Sequence, residues 1–333
     1  MTATALFPPR REFHVLVVDD DEVSRMLTEQ MLVMKRYRVV TAGSAEEAST
    51  AIARQAPDLI LLDVVLPGQS GIELCRELKD NSATRLIPII LITGLSEREA
   101  KLRGIEAGAD DFLSKPVDPQ ELFARVKSLL RLKQFTDELE SAETVLFSLA
   151  LGVEARDPYT EGHCARLADY AAELGRAMRL PEEDIVALRR GGVLHDIGKI
   201  AVPDAILRKP GPLDAQELAI LRRHPVTGEQ ICSPLRTLSR VLPIIRHHHE
   251  HWNGQGYPDG LVGEEIPLLA RILQVVDAYD ALTTSRPYKA AWPHAEARDV
   301  MLAEARELWW DQEIVRLFFD LLERQQRSRR RAG

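Results

Sequence analysis

The chain has 333 residues, 45% hydrophobic and 28% charged, which is ordinary for a soluble globular protein of two domains. A net charge of −8 argues against a general electrostatic grip on DNA or RNA. Three widely spaced cysteines, Cys75, Cys164 and Cys232, exclude a disulfide framework or zinc ribbon, and no apolar run is long enough for a bilayer or a signal peptide, so a cytoplasmic protein with no membrane partner is expected.

The first part alternates apolar runs with segments of helical length. The runs are His14–Val18, Arg38–Ala42, Leu59–Asp63, Ile87–Thr93 and Asp111–Ser114; the segments between them include Ser24–Lys35, Ser44–Gln55 and Ser96–Ala107. The runs show no in–out alternation and are rich in Val, Ile and Leu, as strands covered on both faces are. Five βα units predict a doubly wound, flavodoxin-like α/β domain with a five-stranded parallel sheet, ending near residue 130.

Ligands of an open α/β sheet bind beyond the carboxyl ends of its strands. Asp19 and Asp20 follow the first strand, Asp63 ends the third, Thr93 ends the fourth, and Lys115 follows the fifth, just before Pro116. Three carboxylates converging there repel one another unless a cation binds, and oxygen ligands in a small open site point to Mg²⁺. A carboxylate beside Mg²⁺ can attack a phosphoryl group whose oxygens the metal, Lys115 and Thr93 hold. With Asp-Asp, Asp-x-x-x-Pro-Gly, Thr and Lys-Pro in this order, residues 12–130 resemble a response-regulator receiver domain. The resemblance implies that Asp63 is the phosphoacceptor, that Asp20, Asp63 and the carbonyl of Val65 hold Mg²⁺ with Asp19 assisting, that Phe112 is a switching aromatic, and that a sensor histidine kinase is the partner. Gln69 stands where many receivers carry an acidic residue, and Ser70 is expected to cap the helix that follows.

Residues 131–150 read as a helical linker. Leu132, Phe135, Leu139, Ala142, Leu146 and Leu149 follow a heptad spacing, which fits either a helix packed on its own domains or a coiled coil that makes a homodimer. From about Leu146 the periodicity is helical and no strand pattern recurs, so residues 151–325 are read as an all-α domain. The arginine-rich end, 326–333, reads as a basic tail rather than a binding arm. No basic helix-turn-helix follows the first domain, so DNA is not an expected partner.

Of nine histidines, seven fall between His163 and His251. A lone histidine is ordinarily satisfied or exposed, the reading given to His14 and His294, but clustered His and Asp are the ligand set of borderline transition metals. His195-Asp196 lies in the apolar stretch Val193–Lys199, where a bound metal would compensate burial and Asp196 could bridge two ions. Further candidates are His163, His224, His248, His249 and Asp277.

This arrangement resembles the HD phosphohydrolase superfamily, and the block from His248 to Pro258 narrows the resemblance to the HD-GYP subfamily over roughly residues 145–325. Flanking blocks also match: Arg156–Thr160 before His163, Lys209–Leu213 before His224, and Arg286–Lys289. Carried over by position, the metal ligands are His163, His195, Asp196, His224, His248, His249 and Asp277. Lys199 contacts the scissile phosphate, Arg286 and Lys289 hold the other phosphate, and Gly256 and Tyr257 line the pocket. The resemblance implies hydrolysis of cyclic di-GMP to pGpG, then GMP, by two metal ions; His-rich ligation with two carboxylates suits iron or manganese, and zinc, nickel and cobalt are also compatible by ligand type. Tyr159 stands where some members carry a Glu that binds a third metal, so a dinuclear centre is expected. Asn253 replaces a common Asp, His247 and His251 match no ligand position, and Leu308–Gln312 departs from the expected Gly-x-x-Phe-Asp-Pro. The competing functions are a non-catalytic cyclic-dinucleotide sensor or interaction module, and a hydrolase of cyclic GMP-AMP.

Overall fold

The computed structural model describes residues 12–94, 98–156, 162–285 and 290–332. The chain divides into two compact units, Met1–Glu140 and Ser141–Gly333. In the first, strands β1 (His14–Val18), β2 (Arg38–Ala42), β3 (Leu59–Asp63), β4 (Ile89–Thr93) and β5 (Asp111–Ser114) alternate with α1 (Glu22–Met34), α2 (Ala45–Arg54), α3 (Gly71–Asp80) and α4 (Arg98–Glu106), and α5 (Pro119–Arg156) follows. All pairings are parallel, in the order β2-β1-β3-β4-β5. This is the expected flavodoxin-like sheet.

Every residue of β1, β3 and β4 is buried, because both sheet faces are covered. Leu16, Val18, Ile60 and Leu62 face Ala48 of α2 and Leu74 of α3, whereas Val15, Val17, Leu61 and Ile90 face Leu32 of α1 and Leu122 of α5. Each Val, Leu or Ile side chain among them contributes about 1.5–3 kcal/mol on burial. Ser70 caps α3 as expected: it accepts from Glu73 N at 3.3 Å while Glu73 reaches back to Ser70 N at 2.9 Å. Several helix and strand ends differ from the sequence reading by one or two residues, and two of these differences have a local cause. Asp21 accepts from Ser24 N at 2.7 Å and starts α1 at Glu22, and β4 begins after Pro88, which has no N–H to pair.

The second unit holds α6 (His163–Ala177), α7 (Glu182–Leu194), α8 (Asp204–Leu207), α9 (Ala215–Leu221), α10 (His224–Cys232), α11 (Leu242–His247), α12 (Leu268–Thr283), α13 (His294–Arg306) and α14 (Gln312–Ala332). No strand occurs among its described residues, as expected of an all-α domain. Leu188, Leu194, Ile244, Leu273, Val276 and Phe318 form the centre of its core. The stretch 131–150 lies within the 38-residue helix α5. There Leu132, Phe135, Leu139 and Leu149 are exposed, while Leu146 packs into the second unit's core. The stretch read as a tail is not irregular, since α14 continues to Ala332.

No helix among the described residues is long and apolar enough to cross a membrane. His14 departs from its expected role: it is buried, and neither ring nitrogen has a hydrogen-bond partner among the described residues.

Candidate metal centre

Ligand atoms of Asp19, Asp20 and Asp63 lie within 4.8 Å of one another at the carboxyl ends of β1 and β3. Asp19 and Asp63 are buried and Asp20 is exposed. Lys115 Nζ lies 2.9 Å from Asp19 and also pairs with Asp63, while Val65 N donates to Asp63 Oδ1 at 3.0 Å. Burial pushes the Asp63 carboxyl above its ordinary value, even though the hydrogen bonds from Lys115 and Val65 oppose the shift. One lysine does not balance three carboxylates, so the donor set fits a hard divalent cation. Thr93 ends β4 beside Ser114 and is buried, and Phe112 packs against Gly104 of α4, where an added Cβ would meet its ring at 2.7 Å.

In the second unit two donor groups form, each with ligand atoms within 4.8 Å: Asp196, His224, His248 and His249, and His163, His195 and Asp277. Helix ends supply most of them. His163 opens α6 after Gly162 in the left-handed region (φ +69°), His195 caps α7, His224 opens α10 and His248 caps α11; Asp277 alone sits inside a helix, α12. At a helix end a side chain leaves the packed cylinder and can point across to other elements.

The histidines are oriented by backbone oxygens. Nδ1 of His195, His224 and His248 lies 3.0, 2.8 and 2.7 Å from the carbonyls of Gly192, Leu221 and Ile245. A carbonyl only accepts, so Nδ1 carries the proton and, in a neutral ring, Nε2 presents a lone pair; for His195 burial favours that neutral form, but the neighbouring Asp196 carboxylate raises the ring above its ordinary value. The Nε2 atoms of His224 and His248 then face each other at 3.2 Å, and that of His195 is buried with no hydrogen-bond partner. Converging lone pairs repel unless a cation sits between them, so this donor set fits metal ions. Burial pushes His248 down to about 4 and His249 well below its usual value, which keeps both neutral and able to ligate.

Asp196 stands between the two groups. Its Oδ1 lies 3.1 Å from His224 Nε2 and 3.8 Å from His248 Nε2, and its Oδ2 lies 3.3 Å from His195 Nε2 and 2.6 Å from Lys199 Nζ. Burial opposes its ionisation, yet Lys199 and then His195 hold it well below the carboxylate range. The 3₁₀ turn Ile197–Ala201 brings Asp196 there by pressing Gly198 onto α10, where an added Cβ would stand 1.9 Å from the His224 carbonyl oxygen.

Residues 15–127 match the response regulator receiver domain and residues 150–314 the HD domain. The chain is 35% identical to the cyclic di-GMP phosphodiesterase response regulator RpfG of Xanthomonas campestris, over 89% of this chain and 84% of that one. It is 34% identical to a probable cyclic di-GMP phosphodiesterase of Vibrio cholerae, over 91% and 76%. A 3′3′-cGAMP-specific phosphodiesterase 2 of the same organism matches at 39%, but over 50% of this chain and 33% of its own. The chain belongs to the receiver–HD family of response regulators.

In this receiver–HD protein the sequence-derived ligands come together in the two donor groups, while His247 and His251 stay outside them. His247 pairs with Asp259 at 3.0 Å, and His251 packs edge-on against Trp309. Tyr257 stacks on His249, with ring centroids 4.8 Å apart, and its chain is folded tightly enough that a Cβ on Gly256 would stand 2.3 Å from Glu250 Cα. Arg222 covers the Tyr257 ring. Tyr159, Arg286 and Lys289 lie outside the described residues.

Two supporting residues were not found from sequence. Asp280 lies 2.7 Å from His163 Nδ1 and 2.6 Å from Arg166 Nε; its position one turn after Asp277 on α12 was the available signal. Glu250, fully buried, accepts from the backbone N–H groups of Asp259, Gly260 and Leu261 at 2.7, 3.2 and 3.1 Å. Nothing in its sequence position marked it. The departure at Leu308–Gln312 is also accommodated: Trp309 O accepts from Trp252 N at 3.1 Å, and Asp311 pairs with Arg271 at 2.8 Å.

Proposed function

We propose that this chain is a response regulator whose helical domain hydrolyses cyclic di-GMP to pGpG and GMP, under control of phosphorylation at Asp63. The observation that carries the reading is the position of Asp196, with one carboxylate oxygen facing each donor group. His163, His195 and Asp277 would hold one ion and His224, His248 and His249 the other, with Asp196 shared between them. Bound there, two divalent ions supply a hydroxide nucleophile and neutralise charge on the phosphoryl oxygens. Five histidines together with the two carboxylates Asp196 and Asp277 suit iron or manganese, and zinc, nickel and cobalt accept the same ligand types. Lys199, which pairs with Asp196, is assigned the scissile phosphate, Gly256 and Tyr257 the lining of the substrate pocket, and Arg286 and Lys289 the second phosphate.

In the receiver, Asp63 takes the phosphoryl group from a sensor kinase's phosphohistidine, Lys115 and Thr93 hold its oxygens, and Asp19, Asp20 and the Val65 carbonyl complete the Mg²⁺ site. The exposed stripe Leu132, Phe135 and Leu139 on α5 supports pairing of two copies. The same centre also suits cyclic GMP-AMP, a reading favoured by the similarity to the enzyme named for that substrate. The deciding experiment incubates protein loaded with two metals per chain with each cyclic dinucleotide and resolves the products by chromatography. Turnover of cyclic di-GMP is expected; binding without turnover would make the domain a sensor, and preferential cleavage of cyclic GMP-AMP would reassign the substrate. Asp63→Asn is expected to abolish labelling by acetyl phosphate, and persistent labelling would move the acceptor elsewhere.

A further inference from the structure

The last turn of α5 touches the start of α6, where His163 lies, and the stretch that follows the Asp196–Lys199 turn. Glu154 Oε1 accepts from the backbone N–H of Cys164 at 3.1 Å. Cys164 follows ligand His163, and the first turn of α6 has no cap of its own, since Gly162 lacks a side chain and makes no capping bond. Glu154 therefore satisfies a free N–H of the α6 N-terminus from another helix and fixes where His163 begins. Two residues on, Arg156 reaches the other side. Its guanidinium donates to Val202 O at 3.2 Å and pairs with Asp204 at 2.6 Å, while Arg208 Nε donates to the Arg156 carbonyl at 2.9 Å. Those partners directly follow the turn that carries Asp196 and Lys199. Residues two apart on a helix point to different sides, so the pair grips two separate segments at once. Val153 and Glu154 also line a small cavity with His163, Asp196 and Lys199.

We propose that Glu154 and Arg156 are positioning residues, which set the spacing between the His163 segment and the Asp196–Lys199 segment according to the placement of α5. Because α5 is the helix that starts at Pro119, directly after the receiver's last strand, the same pair is the point at which phosphorylation of Asp63 is read by the metal centre. This rests on the hydrolytic reading above, and the test separates the two.

The test uses full-length protein with its metal content measured, with and without beryllofluoride, which mimics an aspartyl phosphate. Hydrogen exchange is followed at the first turn of α6 and at 200–204, alongside kcat and KM for cyclic di-GMP. In the wild type, beryllofluoride is expected to change exchange at both segments. Glu154→Gln and Arg156→Ala are expected to speed exchange there, to lower kcat by roughly tenfold with KM little changed, and to shrink the beryllofluoride response. Arg156→Lys, which keeps the charge on Asp204, is expected to recover part of it, and it is the variant to use if Arg156→Ala does not fold. Wild-type segments indifferent to beryllofluoride, or Glu154→Gln and Arg156→Ala with unaltered exchange and an unaltered response, would overturn the proposal. A wild type that never cleaves the dinucleotide would sink the hydrolytic reading alone, because the exchange measurement needs no turnover.

Discussion

Asp280 fixes His163. Its carboxylate lies 2.7 Å from Nδ1 and, against the pull of burial, is held down to about 2 by His163 and Arg166. An ionised carboxylate only accepts, so Nδ1 is the atom that donates to it and Nε2 is turned toward Asp277, 3.4 Å away.

Asp280→Asn weakens that orientation without replacing a ligand. Metal affinity of the His163 group is expected to fall by roughly 10- to 100-fold, the usual effect of losing such a partner, while the His224 group keeps its ion. Competition titration with a chromophoric chelator reads this as one weakened site out of two. Two sites weakened equally would mean that Asp280 supports the whole fold instead.

Chelation is expected to lower the unfolding temperature of the HD domain and to leave its secondary structure in place, because Nδ1 of His195, His224 and His248 stays anchored while the facing Nε2 lone pairs lose their cation. At free metal 100 times the dissociation constant, the lost stabilisation is about 2.7 kcal/mol per site. Calorimetry before and after dialysis against chelator, in buffer holding Mg²⁺ for the receiver, measures it. An unchanged transition counts against metal binding.

Glu250→Gln removes an acceptor from a site where three backbone N–H groups converge on two oxygens. The amide NH₂ must then face a donor, leaving a buried group unsatisfied at a cost of about 1–3 kcal/mol. Denaturant titration of the HD domain should show that loss. A variant as stable as wild type would mean that the 259–261 backbone finds other partners.

The same loop is expected to loosen in acid. Arg246, and then His247, hold the Asp259 carboxyl below its ordinary value. A lowered folded-state value contributes stability above the unfolded-state value, and this is lost as pH falls through the folded one. Amides of 254–262 should therefore exchange faster, relative to their intrinsic rates, once pH drops below the carboxylate range. Asp259→Asn should show the faster relative exchange already at neutral pH, and an unchanged pH profile in that variant would assign the loosening to another group.

Much of this was legible in the chain. The β1, β3 and β4 runs are apolar throughout because helices cover both faces, and that pattern names a parallel sheet before any coordinate is known. The aspartates at strand ends and the histidine cluster carry their chemistry in their spacing. What was hidden is of a different kind. Asp280 and Glu250 act through partners that folding brings to them, Asp280 from 117 positions away and Glu250 across a loop, and a sequence does not display what an acceptor accepts. The extension of α14 through its arginines was missed because charge density was read as solvation, whereas Arg is itself a good helix former.

Gly198 sets a limit on redesign of this centre. A methyl group there would overlap the backbone of His224 and Gly228, neither of which is a flexible chain end that could swing aside. Libraries that randomise the pocket to change its substrate can vary Tyr257, whose ring stacks on His249, or Arg222, which covers that ring. At position 198 every alternative residue forces apart two ligand-bearing segments, so the library should leave that codon fixed.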